Sequence, residues 1–200
     1  MLTADMLLAL AGVALASTWT PGPNNIMLAN SGATFGFRAT RAHLLGVAIG
    51  FPAMMFALAL GLGEAFRQSA ALREALRWVG LAVMLWLSWR IATAGRARAT
   101  GRARPFGFLE AAAFQWVNPK AWAMALAIPA AFLSGARPAV EALVCALVFL
   151  GSGLTSASGW TAFGAALRRA LATDARLRAF NAAMGALLAV SALSLVAADL

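Results

Sequence analysis

The sequence predicts an all-α membrane protein: six transmembrane helices arranged as two inverted three-helix repeats, with helices 1 and 4 broken by proline. Three observations carry this expectation. The 200 residues are 62% hydrophobic and only 12% charged, about half the charge of an ordinary soluble domain, and the mean hydropathy is +0.79. The apolar residues fall into six runs of about 20 residues or more, the length a bilayer-spanning helix needs. Two of those runs, the first and the fourth, are interrupted by prolines that follow a Trp and adjoin an Asn.

The first run covers 5–31. It lacks the basic residues that precede the apolar region of a signal peptide, since the first cation is Arg38, and it reads as a retained span. Within it, Trp19-Thr20-Pro21-Gly22-Pro23-Asn24-Asn25 predicts a break. Pro21 and Pro23 remove the donors for the Ser17 and Trp19 carbonyls, and Gly22 between them lets the backbone leave helical geometry. The second run, 39–62, carries the small-residue pair Gly46 and Gly50, a close-approach pattern. The third, 71–93, has Trp78 and Trp89 near its ends as interfacial anchors.

An arginine-rich linker, 95–105, leads to the fourth run, 106–133. That run would be about 40 Å long as helix, which puts Lys120, the chain's only lysine, near the bilayer midplane. A charge there costs about 2.5–3.5 kcal/mol or more and marks a functional hypothesis. Pro119 breaks the helix at the same depth, within Phe114-Gln115-Trp116-Val117-Asn118-Pro119-Lys120. The fifth run, 139–167, is lined by glycines and by the hydroxyls of Ser152, Thr155, Ser156, Ser158 and Thr161; the sixth is 177–197. The whole chain reads as one transmembrane domain, with repeat one at 1–104 and repeat two at 105–200.

Eleven arginines fall in the linkers after the first, third and fifth runs or at the run ends that border them, and four on the opposite side. That asymmetry predicts both termini outside and the arginine-rich loops in the cytoplasm of an inner (plasma) membrane. It also accounts for the net charge of +9 without nucleic acid as a partner. One cysteine, Cys145, and one histidine, His43, exclude a disulfide framework and leave no ligand set for a metal or cofactor.

Pro23 and Pro119 each favour the first position of a new half-helix. Its free N–H groups and positive dipole end would face the centre. Two such ends with Lys120 between them make a carboxylate site, with Asn24, Asn25, Gln115 and Asn118 supplying polar contacts. Pro21, Gly22, Pro23, Asn24, Asn25, Gln115, Asn118, Pro119 and Lys120 are therefore the candidate substrate-binding residues. The competing account is structural: prolines kink membrane helices, amides patch the kinks, and Lys120 locks helices together. No acid lies at its depth, however. Lys120, Glu110 and His43 are the candidates for proton coupling, although Glu110, about 15 Å from Lys120 along a helix, and His43 also suit interfacial positions.

These residues resemble the LysE/RhtB family of amino-acid exporters over essentially the full length. The resemblance rests on Thr20-Pro21-Gly22-Pro23-Asn24, Phe35-Gly36-Phe37-Arg38, Gly46-Val47-Ala48-Ile49-Gly50, the basic loop, and the stretch ending in Asn118-Pro119-Lys120. It implies a six-helix inner-membrane exporter of amino acids or their derivatives, driven by the proton gradient. Many relatives carry an acid shortly after the second-span glycines, where this chain reads Gly50-Phe51-Pro52-Ala53. That variant is similar to members described as cysteine or O-acetylserine exporters.

The sequence thus predicts a secondary transporter that exports a small zwitterionic amino acid by alternating access. Its partners would be that small molecule and the lipid bilayer, with homo-oligomers compatible with the sequence. The rival readings are a membrane structural or assembly protein and an intramembrane enzyme. The latter would need a nucleophile and a base, for which neither His-Glu-x-x-His nor Gly-x-Ser-x-Gly is present.

Overall fold

A computed structural model describes residues 3–94 and 104–197; most of the arginine-rich linker and Asp199 lie outside them. Six helical segments appear where the six apolar runs were predicted. The first is the bent pair α1 (Ala4–Trp19) and α2 (Pro23–Phe35), which meet at 55°. The second is α3 (Arg41–Ala57), a π-helical turn at Leu58–Leu62 and α4 (Gly63–Gln68). The third is α5 (Ala70–Ala92). The fourth is α6 (Phe108–Phe114), a 3₁₀ turn at Gln115–Val117 and α7 (Pro119–Phe132). α8 (Pro138–Leu167) and α9 (Asp174–Ala197) complete the set. Among the described residues, Arg41–Gln68, Ala70–Ala92 and Pro138–Leu167 are each long and apolar enough to cross a bilayer, and the bent pair α1–α2 reaches that length and hydropathy when its two helices are taken together. α6 and α7 are too short to span singly, because the break at Asn118 divides their segment.

Segment two runs six residues beyond its predicted end at 62. Gly61 adopts φ 132°, a conformation open to glycine, so the chain turns there and resumes as α4.

α1 and α2 lie against α8, α6 and α7 against α3, α3 against α8, and α5 against α9. Glycines set the close approaches. A Cβ on Gly32 would fall 2.3 Å from the Thr161 carbonyl oxygen of α8, and one on Gly46 2.3 Å from that of Phe108. Large apolar side chains such as Leu8, Trp86, Trp89, Leu147 and Val190 project outward. Exposure on that scale suits a lipid-facing surface.

The three arginine-bearing connections share one end of the bundle. Gly36 lies beside Arg168, the His43 ring is 5.4 Å from that of Phe106, and Asn181 donates to the Ala94 carbonyl at 2.7 Å. At the other end, the buried Glu141 carboxylate accepts from Ser134 N (2.8 Å), Ser134 Oγ (2.7 Å) and Gly135 N (3.0 Å), closing the turn between α7 and α8. Glu141→Ala strands those donors. The turn itself is exposed and water replaces part of the loss, so the expected result is a modestly lower melting temperature in detergent.

Candidate substrate-binding site

The break in segment one forms as its prolines dictate. α1 ends at Thr20, whose N–H still reaches the Ala16 carbonyl, and Gly22 is extended at φ −174° before Pro23 starts α2. Around the break, side chains satisfy the carbonyls of Thr18 and Thr20. Asn25 Nδ2 donates to both, at 2.8 and 3.0 Å, and Ser156 of α8 donates to Thr18 O at 2.7 Å. Thr18 and Ser152 hydroxyls are 2.6 Å apart. Trp19 Nε1 donates to Thr155 Oγ1 at 3.3 Å.

In segment four, Asn118 is extended and Pro119 opens α7. The Gln115 carbonyl, which Pro119 would have left without a donor, accepts from Asn118 N–H at 3.3 Å. Asn118 Oδ1 accepts from Lys120 N at 3.2 Å and so caps α7 with its own side chain. The expected pair of open half-helix N-termini is therefore reduced to one. The α2 end carries no side-chain cap, whereas the α7 end is satisfied locally.

Lys120 Nζ crosses between the segments and donates to the Thr20 carbonyl at 2.9 Å. A Cβ on Gly22 would lie only 2.9–3.1 Å from Lys120 Cδ and Nζ, so the absence of a side chain at residue 22 is what admits the lysine. The cation thus rests at the carbonyl end of α1, where the helix dipole favours positive charge. That dipole partly offsets the charge, with no carboxylate paired to Lys120 among the described residues. Three half-helix ends meet around one ammonium group: the carbonyl end of α1 and the amide ends of α2 and α7.

Beside this junction is a cavity of about 60 Å³, room for a few waters. Gly22, Pro23, Asn24, Asn25, Asn118 and Lys120 line it, together with Ser17, Thr18, Phe51, Pro52, Met124, Phe149, Gly153 and Ser156. Lys120 is the only ionisable group among these lining residues. Pro21 and Pro119 shape the breaks without facing the cavity, and Gln115 is fully buried behind it. Gln115 exchanges two hydrogen bonds with Asn24: Asn24 Nδ2 to Oε1 at 2.8 Å, and Nε2 to Asn24 Oδ1 at 3.1 Å.

The other two proton-coupling candidates lie elsewhere. Glu110 receives a bidentate fork from Arg104, both bonds 2.7 Å, at the arginine-rich end, and that bond holds the Arg104 guanidinium pKa above its ordinary value. His43 is buried, with Nδ1 3.1 Å from Ser31 Oγ. Neither lines the central cavity. The hydroxyls of α8 were legible as a run at 152, 155 and 156, whose spacing places them on one helix face. The cavity's apolar walls, Phe51, Met124 and Phe149, carried no signal that separates them from lipid-facing residues.

Two discontinuous helices meeting at a cavity that admits amides, hydroxyls and one lysine inside an apolar bundle define a membrane protein of the broken-helix class, in which irregular backbone at depth is tolerated because protein encloses it. Within that class, the match extends over residues 15–199 to the LysE type translocator family, and the chain belongs to that family. It is 38% identical over 109 residues to a cysteine/O-acetylserine efflux protein of Salmonella choleraesuis, covering 53% of this chain and 54% of the relative. It is 35% identical over 120 residues to a protein of the same description from Escherichia coli K12, covering 60% and 61%. The chain spans about half to three-fifths of the length of these curated relatives. No solved structure matches it.

Proposed function

We propose that the protein is a secondary transporter of the inner membrane that exports a small zwitterionic amino acid, with cysteine and O-acetylserine as the first substrates to try. The observation that carries this reading is Lys120 held at the meeting point of the α1, α2 and α7 ends. A substrate carboxylate offered to this junction would find an ammonium group and the uncapped N–H groups of α2. The ammonium would exchange a neutral carbonyl for an ionic partner, while Ser156 and the Asn24 and Asn25 amides surround the rest of the molecule. Taking the substrate up from one face and releasing it at the other requires the half-helices to part.

Alternating access of two inverted repeats supplies that motion. The interhelical contacts support the reading: exchanging segments one, two and three with four, five and six maps the contacts of α1 and α2 on α8 onto those of α6 and α7 on α3, and leaves α3–α8 and α5–α9 each mapped onto itself. The shared end of the three arginine-bearing connections supports a cytoplasmic location for them. Lys120, as the ionisable group at the cavity, is the coupling residue in this scheme, and Glu110 and His43 act at the inner end. Counterflow in proteoliposomes tests the proposal. Vesicles loaded with unlabelled cysteine or O-acetylserine should accumulate the labelled compound transiently. Absence of counterflow across a broad amino-acid panel rejects the substrate class.

A further inference from the structure

The arginine-rich end holds a second cavity, of about 290 Å³, that the central site does not use. Asn30, Ser31 and His43 line it, all three at least nine-tenths buried. Ser31 and His43 are in contact, and Asn30 donates to Asn181 at 2.8 Å. Arg90 and the Arg104–Glu110 pair also line it, and Arg90 stacks 4.9 Å from the Trp86 ring centroid. Burying such polar groups next to open volume is costly in a bundle this apolar unless the volume is wet.

Between this cavity and the central one lies the Asn24–Gln115 amide pair. On α2 the central cavity takes residues up to Asn25 and the second begins at Met27. On segment four the central cavity takes Asn118 onward and the second takes Glu110, so Gln115 falls between them. Ile26, Met27 and Phe114, close in sequence to that pair, belong to one buried apolar cluster. A reciprocal amide pair can be undone without leaving a charge unpaired, and each partner regains its hydrogen bonds from water or a polar solute.

We propose that the second cavity is the inner vestibule through which the exported zwitterion reaches the central site, its carboxylate meeting Arg90, and that the Asn24–Gln115 pair is the inner gate. The proposal rests on the transport reading for its ligand, but its geometry is testable without flux. The fully buried native Cys145 is replaced by alanine, and Ser31→Cys (vestibule) and Ser17→Cys (central cavity) are introduced singly. Membrane vesicles of known sidedness are treated with a membrane-impermeant maleimide.

Ser31→Cys should be labelled from the inner face and not the outer, and O-acetylserine should slow its labelling at least about threefold. Ser17→Cys should react slowly from the inner face, and Gln115→Leu or Asn24→Leu should raise that rate about tenfold. Unchanged Ser31→Cys labelling in the leucine variants shows that they remain folded. Labelling of Ser31→Cys from the outer face, failure of O-acetylserine to protect it in vesicles that transport O-acetylserine, or amide variants that leave Ser17→Cys labelling unchanged would overturn the proposal. The expected labelling pattern in vesicles that carry no amino acid keeps vestibule and gate and removes the transport reading instead.

Discussion

Lys120→Met is expected to abolish counterflow while leaving the protein as abundant and as heat-stable as the parent. A hydrogen bond to a charged group contributes about 1.5–3 kcal/mol, and at about 1.4 kcal/mol per tenfold the loss corresponds to roughly 10- to 150-fold in substrate affinity. The folded state loses little, because the substitution removes a partly desolvated cation and strands only the Thr20 carbonyl, which still accepts from Asn25. Flux and stability therefore separate. A purely structural lysine predicts the opposite pattern, with lower stability and retained flux. Lys120→Arg sharpens the test: the charge is kept, but the guanidinium is broader than the ammonium that already lies within contact distance of Gly22, so flux should fall despite the cation.

Gly164→Ala should be the most damaging of the conservative changes to the fold. The added Cβ would lie 1.9 Å from the Ala29 carbonyl oxygen and 2.8 Å from its carbon, backbone atoms that cannot swing aside. Overpacking a core costs about 1–3 kcal/mol and occasionally more, and this site belongs at the upper end. For a chain of this size that lowers the melting temperature by roughly 6–12 °C. The damage should reach function as well, since pushing α2 off α8 carries Asn25 away from the Thr18 and Thr20 carbonyls. Gly151→Ala is the control. Nothing lies within 4 Å of its Cβ position, and a helix-interior Gly→Ala change there should be neutral or stabilising by about 0.5–1 kcal/mol. Equal melting temperatures for the two variants would remove the close α2–α8 contact as a determinant of stability.

The local chemistry of the chain determined a good deal by itself. Pro21, Gly22, Pro23 and Pro119 act on their own backbone, so the positions of both breaks along the chain were legible, as were the six segments, although segments one and two run past the ends of their apolar runs. A lone lysine in an apolar run singled out the stretch that lines the central cavity. What the residues paired with was not legible. Lys120 and Thr20 are separated by 100 residues, Asn24 and Gln115 by 91, and Ser156 and Thr18 by 138.

For such pairs the sequence offered only a supply of donors and acceptors, and several matchings satisfied it equally. Asn118 illustrates the difference: the same side chain could have faced substrate or capped its own helix, and the extended backbone at residue 118 selected the cap. Glu110 and His43 suited either proton coupling or interfacial positions on sequence, and the packing of α6 and α3 puts both beside the cavity at the arginine-rich end. Backbone constraints are local and are written into each residue. The partner of a buried polar group is chosen by which helices their glycines allow to touch, and in this bundle that choice brought the carbonyl end of α1 to Lys120.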